Sequence, residues 1–362
     1  MQRAAAAAPR RRPADRDVLG RRVIAGGALA LAVALFLSLS IGATGITLAS
    51  LPRALAAAIG GAGDPALARE QLVLLSIRFP RAILGMFVGA ALGVAGAMMQ
   101  GLFRNPLADP GIIGVSSGAA LAAVATIALG NTLAAPLTRA FGVYALPFAA
   151  FAGGVATTTV LVAVSGRRGQ VMIGTLLLAG IAIGALAGAL TGLIAYASDD
   201  RELRDLTLWS LGSLSGASWP KVVAVLPFAL AIVVVLPLTI RALNGFLLGE
   251  AEAYHLGVDI ERTKRLVVLT TAACVGAAVA VAGVVGFVGI VVPHLVRLLA
   301  GPDHRFVLPG SALLGAALLL VADVAARMLV RPAELPLGVV MAAIGAPVFL
   351  HLVLRRGIGG VE

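Results

Sequence analysis

The sequence is poor in charged residues and in cysteine, and each shortage excludes a class of protein. Only 12% of the 362 residues are charged, whereas a typical soluble domain has about 25%. An ordinary soluble enzyme is therefore excluded. The single cysteine, Cys274, cannot form an internal disulfide, which excludes a secreted disulfide scaffold. Apolar residues make up 60% of the chain, which predicts a membrane protein with several crossings.

Lysine is also scarce, and its positions exclude a common nucleotide site. Neither Lys221 nor Lys264 follows a glycine, so the G-x-x-x-x-G-K-[ST] loop that binds ATP phosphates does not occur. There is no H-E-x-x-H motif and no cysteine cluster, so we expect neither a metal site nor a bound cofactor. The net charge of +11 comes mostly from arginines between apolar runs. That distribution is typical of loop charges, so no nucleic-acid partner is predicted.

Stretches without Asp, Glu, Lys or Arg divide the chain into candidate membrane spans. A transmembrane helix needs about 20 apolar residues, so most stretches predict one crossing each. Stretch 266–296 is too long for one straight span and contains several glycines, which predicts a full helix, a break and a short helix over 289–300. The result is an all-α polytopic membrane protein with ten transmembrane helices. The stretches are 23–52, 82–103, 110–138, 140–166, 169–198, 222–240, 266–296, 306–322 and 335–354.

The positions of arginine and lysine predict the orientation. If the N-terminus is cytoplasmic and ten helices alternate, the inner loops contain 18 of the 28 basic residues. This agrees with the positive-inside bias and places both termini in the cytoplasm. We predict a basic cytoplasmic tail over 1–22, a single transmembrane domain over 23–356 and a C-terminal tail over 357–362.

Similarity between the two halves of the chain leaves a secondary transporter as one alternative. IGTLLLAGIAIGA (173–185) is similar to LGVVMAAIGAPV (337–348). Five spans separate the two copies, so the repeats would be inverted, as in many transporters. An ion-coupled transporter would need carboxylates at the membrane midplane, and the sequence offers only Asp323, four residues before Arg327.

The motif GVSSG (114–118) leaves an intramembrane serine hydrolase as another alternative. It matches G-x-S-x-G, so Ser116 or Ser117 would be the nucleophile. A nucleophile elbow needs a strand, a turn and a helix, and this segment does not predict a strand. Small residues that allow tight helix packing are the favoured interpretation.

The longest interior loop on the predicted inner side contains a candidate docking helix. Its centre, 249–257, is a short helical stretch between two glycines with a mixed apolar and acidic face. We predict that it docks on a soluble partner, and a solvated connector is the alternative. Its key residues are Gly249, Glu250, Glu252, Leu256 and Gly257.

Three long segments resemble the FecCD family of iron-siderophore, haem and vitamin B12 importer permeases. They are RFPRAILGMFVGAALGVAGAMMQGLFRNPLADPGIIGVSSGAA (78–120), GFVGIVVPHLVRLLAGPDHRFVLPGSALLGAALLLVADVAAR (286–327) and AELPLGVVMAAIGAPVF (333–349). The resemblance implies a type II ABC importer in a bacterial inner membrane. Two copies of this chain would work with two ATPases, which use ATP and Mg²⁺, and with a periplasmic binding protein. The chain itself would not be an enzyme.

The resemblance also implies roles for particular residues. Arg78, Arg81 and Arg327 match arginines that meet glutamates on the binding protein, so we expect them partly exposed at the outer surface. Residues 249–257 match the coupling helices that contact the ATPase. The cytoplasmic gate is implied at Asn105, Leu107, Met172 and Ile173.

Overall likeness within the family is greatest to haem permeases, especially around EAYHLGVDIERTKR. The resemblance therefore implies haem as the transported substrate, with ferric siderophore and cobalamin as alternatives. Met172 and Ile173 depart from the B12 permease, which has small hydroxyl residues at those gate positions.

Overall fold

The computed structural model describes residues 13–42, 71–167 and 170–358. Within these ranges the chain forms thirteen α-helices and one antiparallel hairpin, in which Gly166–Arg167 pairs with Gln170–Val171. The helices are α1 (Pro13–Ser40), α2 (Gln71–Leu102), α3 (Val115–Ala128), α4 (Ala135–Phe141), α5 (Ala145–Ser165), α6 (Ile173–Ala197), α7 (Asp200–Ser210), α8 (Trp219–Phe246), α9 (Glu250–His255), α10 (Ile260–Ala282), α11 (Val288–Ala300), α12 (His304–Met328) and α13 (Leu337–Ile358).

Most of these helices are apolar, as expected of a polytopic membrane protein. In the described residues, seven helical stretches are long and apolar enough to cross a membrane. They are α1, α2, α4 with α5, α6, α8, α10 and α12. Helices α3, α11 and α13 contain shorter apolar segments. The all-α polytopic fold is therefore confirmed.

The break in the long apolar stretch 266–296 is confirmed. Helix α10 ends at Ala282, and α11 begins at Val288. Gly283 lies between them with a φ of 69°, a conformation that favours glycine. A side chain there would also overlap the carbonyl oxygen of Trp209. The carbonyl of Ala282 accepts a hydrogen bond from the backbone N–H of Ser213 at 2.8 Å, so the helix end is satisfied.

The first helix begins earlier than the sequence indicated. Residues 13–22, predicted to belong to the basic tail, form the first turns of α1. Pro13 suits a first helical turn, and Asp17 pairs with Arg305 of α12 at 3.2 Å. Residues 1–12 of the tail and 359–362 of the C-terminal tail lie outside the described residues, as does the 43–52 end of the first predicted span.

Helix α2 occupies the centre of the bundle and packs against α10, α11 and α12. Its glycines allow this close approach. A Cβ at Gly89 would overlap the carbonyl of Gly315 on α12, and one at Gly96 would overlap the carbonyl of Gly289 on α11. Close contact between small residues is a main source of helix association in membranes.

We expect Gly96→Ala to lower the thermal unfolding midpoint of the purified protein. The new methyl group overlaps backbone that cannot move independently, and overpacking typically costs about 1–3 kcal/mol. Gly26→Ala in α1 is the matched control, because no atom lies within 4 Å of a Cβ there. Equal midpoints for the two variants would show that the contact with α11 is not tight.

Candidate functional site

Three arginines predicted to act together meet at one end of the bundle. Arg78 and Arg81 lie near the start of α2, and Arg327 lies in the last turn of α12. Asp323 joins two of them: its carboxylate is 2.8 Å from Arg81 Nη2 and 3.1 Å from Arg327 Nε. Asp323 is only 1% exposed. A carboxylate buried to this extent requires paired cations.

Glu334 is the second carboxylate of this arginine cluster, and it is not among the site residues predicted from the sequence. Its two oxygens accept hydrogen bonds from Arg81 Nη1 at 3.0 Å and Nη2 at 2.9 Å. This bidentate geometry is the strong form of an Arg–carboxylate pair. The Glu334 side chain is 38% exposed. Glu334 therefore covers the side of Arg81 that faces solvent.

Arg78 and Arg327 also cap the C-terminal end of α1. Arg78 donates to the carbonyls of Leu39 and Ser40, and Arg327 Nη1 donates to the carbonyl of Ile41 at 3.0 Å. A helix end leaves such carbonyls without partners and carries partial negative charge. Our expectation that the arginines are partly exposed is wrong: the exposed fractions of Arg78, Arg81 and Arg327 are 4%, 8% and 8%.

The predicted docking helix is present at the opposite end as α9. Gly249 and Gly257 flank it with φ angles of 134° and 81°. Its Ala253 is fully buried, whereas Tyr254 and Leu256 are 69% and 56% exposed. The exposed face therefore presents apolar side chains that no described residue covers.

Lys264 of α10 holds α9 in place. Its Nζ atom is 2.9 Å from a carboxylate oxygen of Glu250 and 3.4 Å from one of Glu261. Lys264 is 6% exposed, so its charge is paired away from bulk water. The ion pair joins the first residue of α9 to the first turns of α10.

Helix α8 separates the arginine cluster from α9. The indole N–H of Trp219, at its start, donates to the carbonyl of Leu75 in α2 at 2.8 Å. At its other end, Gly245 packs against Ala253 of α9. A helix of 28 residues is about 42 Å long. The two candidate sites thus lie at opposite ends of the protein.

Two of the predicted gate residues lie beside α9. Met172 and Ile173, at the start of α6, line an open cleft of about 1130 Å³. Glu250, Tyr254 and Lys264 line the same cleft. The predicted gate at this position and the predicted coupling helix therefore share one surface.

The other two predicted gate residues lie in the loop after α2 and do not line that cleft. Asn105 is exposed, and its side-chain oxygen accepts the backbone N–H of Leu107 at 3.0 Å. Further along, Asp109 accepts the N–H of Gly111. Burial raises the pKa of the Asp109 carboxyl, and this hydrogen bond opposes the shift. The loop leads into a turn that packs against α6.

The serine motif has a structural role. Ser116 and Ser117 lie in the first turn of α3, which follows a 3₁₀ turn at Pro110–Ile113. A nucleophile elbow requires a strand before the serine, and the described segment has none. A side chain at Gly118 would overlap Thr157 of α5. The motif therefore serves the close packing of α3 and α5.

The chain is similar to known transport proteins over most of its length. The model of the FecCD transport family matches residues 30–355. The chain is 48% identical to the hemin transport system permease protein HmuU of Yersinia pestis, over 78% of this chain and 84% of that one. It is 45% identical to the cobalamin import system permease protein BtuC of Halobacterium salinarum, over 79% and 74%.

A solved structure is similar over nearly the whole fold. It is described as an inward-facing conformation of a metal-chelate type ABC transporter. The TM-score is 0.79 at 33% sequence identity, and the match covers 92% of this chain and 99% of the other.

Proposed function

The chain belongs to the FecCD transport family, and we propose that it forms the membrane pathway of an importer that moves haem into the cytoplasm. It is a permease of a FecCD-type ABC importer and is not itself catalytic. This class implies a partner ATPase and a substrate-binding protein. Two copies of the permease with two ATPases and one periplasmic binding protein form the proposed assembly.

The observation that carries the proposal is the pair of sites at opposite ends of α8. At one end, arginines and carboxylates form a site that suits exchange with acidic side chains of a binding protein. At the other end, Leu256 and Tyr254 of α9 present an uncovered apolar face that suits a groove on an ATPase. The chain has no phosphate-binding lysine loop of its own.

We propose ten membrane crossings, made by the seven long stretches together with the shorter helices α3, α11 and α13. The α9 end faces the cytoplasm in this arrangement, in agreement with the arginine distribution. The membrane is the bacterial inner membrane. The termini would then both be cytoplasmic.

Helix α6 supports the proposed homodimer. Only 17% of the most apolar segment of this helix is buried within the chain. Gly188 and Gly192 lie on it with no atom within 4 Å of a Cβ position. A bare face of small residues is suited to close approach of a second helix. With Met172 and Ile173 at its start, α6 would also bring the proposed gate toward the dimer axis, where Asn105 and Leu107 would complete it.

Haem is the proposed substrate because this chain is 48% identical in sequence to a hemin permease. The identity to two cobalamin permeases is 45% and 43%. Ferric siderophore and cobalamin are the alternatives. An ion-coupled secondary transporter is disfavoured because Asp323, the carboxylate that such a transporter would use, is already paired with two arginines at the end of the bundle.

The substrate assignment is tested with the reconstituted importer. ATP hydrolysis by the full complex is measured with its binding protein preloaded with haem, cobalamin or a ferric siderophore. We expect haem to stimulate hydrolysis most. Equal or greater stimulation by cobalamin would assign the importer to that substrate instead.

A further inference from the structure

Two adjoining cavities lie at the same end of the bundle as the arginine cluster. One, of about 280 Å³, has a mostly apolar lining that also includes Ser213, Ser215 and Lys221. The other, of about 360 Å³, is lined almost entirely by apolar side chains. The two have Pro147, Ala280 and Val281 in common. The two cavities therefore lie side by side, one with polar side chains in its lining and the other almost wholly apolar.

Lys221 provides the charge in the first of these cavities. It lies in the first turn of α8 and is half-buried. A Cβ on Gly216 would lie 3.1 Å from its Nζ atom, so the ammonium group sits against that loop. Among the described residues no carboxylate or hydrogen-bond acceptor contacts Lys221, whereas Lys264 has two carboxylate partners. A partly buried ammonium without a counter-charge favours an anionic ligand.

Serine hydroxyls complete the polar part of the same lining. Ser213 Oγ donates to Ser215 Oγ at 2.9 Å, and the backbone N–H of Ser215 donates back to Ser213 Oγ at 3.0 Å. This pattern leaves the hydroxyl hydrogen of Ser215 available for a further acceptor. An ammonium and a hydroxyl on one cavity wall suit the oxygens of a phosphate group.

Aromatic rings shape the apolar cavity. Phe141 and Phe148 stack with their centroids 4.7 Å apart, and Phe151 contacts Phe228 of α8 at 4.9 Å. Phe141 and Phe148 are 42% and 47% exposed, so the groove opens outward between α5 and α8. Both helices belong to stretches long and apolar enough to cross a membrane, so an apolar groove between them faces acyl chains.

We propose that this composite site binds one anionic phospholipid. Its phosphate lies against Lys221 and Ser215, and one acyl chain lies in the aromatic groove. The charge of Lys221 selects an anionic headgroup, because a zwitterionic lipid brings its own cation close to the ammonium. The site is separate from the residues proposed for docking, gating and coupling.

The test measures lipid retention by the intact purified permease. The protein is incubated with phosphatidylglycerol or phosphatidylcholine of the same acyl chains, and bound lipid is counted by native mass spectrometry. We expect one phosphatidylglycerol to be retained in preference. Lys221→Gln should weaken its binding about fivefold, the equivalent of about 1 kcal/mol per basic residue. Lys221→Arg should retain the preference.

Matched variants distinguish lipid binding at this site from non-specific attraction of anionic lipid to a basic protein. Arg139→Gln removes an exposed charge on α4 outside the cavities and should change nothing. Ala224→Trp fills the groove and should reduce retention of both lipids, whereas Val223→Trp, at the neighbouring exposed position outside the groove, should not.

Three outcomes would overturn the proposal. One is the same retention of phosphatidylglycerol in Lys221→Gln as in the unmodified protein. Another is an equal loss in Arg139→Gln, which would indicate non-specific attraction. The third is displacement of bound phosphatidylglycerol by an equal concentration of inorganic phosphate, which would assign the site to a free anion.

Discussion

Arg81→Gln is expected to abolish stimulation of ATP hydrolysis by the binding protein and to lower the thermal stability of the permease. The substitution leaves Glu334 without its bidentate partner and Asp323, which is 1% exposed, with Arg327 alone. Breaking a buried pair typically costs about 3–5 kcal/mol. Thermal unfolding and the ATPase rate, with and without binding protein, are the two measurements.

Glu334→Gln distinguishes docking from stability. Glu334 is the exposed member of the arginine cluster, so its loss should change the unfolding midpoint little. It should raise affinity for the binding protein, because an incoming carboxylate no longer competes for Arg81. Arg331→Gln, at an exposed arginine of the same loop, serves as the control. If Arg81→Gln loses stability but keeps full stimulation, the cluster is structural and the docking role is wrong.

Leu256→Asp is expected to uncouple the permease from its ATPase. Leu256 is 56% exposed at the end of α9, so the substitution should not disturb the fold of the isolated chain. In the assembled importer it would place a charge in an apolar contact. We expect roughly tenfold to hundredfold weaker association, since each 1.4 kcal/mol is tenfold. Co-purification of the two subunits measures it.

Leu256→Met is the control for this prediction, because it keeps the apolar contact and nearly the same volume. It should co-purify with the ATPase as the unmodified chain does. Undiminished co-purification of Leu256→Asp, together with normal substrate-stimulated hydrolysis, would place the contact with the ATPase elsewhere on the permease.

Glycines in the sequence predicted two of the local features of the fold. The glycines after 282 predicted the break before α11, and the paired glycines 249 and 257 predicted the short helix α9. Such features depend on backbone conformations that few other residues adopt. Helix α1 begins earlier than predicted, because Pro13, a residue suited to a first helical turn, lies inside the basic segment.

Contacts distant in the chain were not predictable in the same way. Arg81 and Glu334 are 253 positions apart, so nothing local indicates that Glu334 covers the arginine. The pairing of Asp323 with Arg327, four residues away on one helix, followed from helix geometry and is present. The burial of all three arginines depends on the end of α1 and on this remote loop. Neither is visible in the pattern around residues 78–81.

Haem uptake into proteoliposomes tests whether this chain is the permease of an ATP-driven haem importer. The permease, its ATPase and its binding protein are reconstituted, and haem accumulation is followed with ATP, with a non-hydrolysable analogue, and with the permease alone under an ion gradient. Haem should accumulate only with the complete complex and ATP. Accumulation driven by an ion gradient in the absence of the ATPase would contradict it.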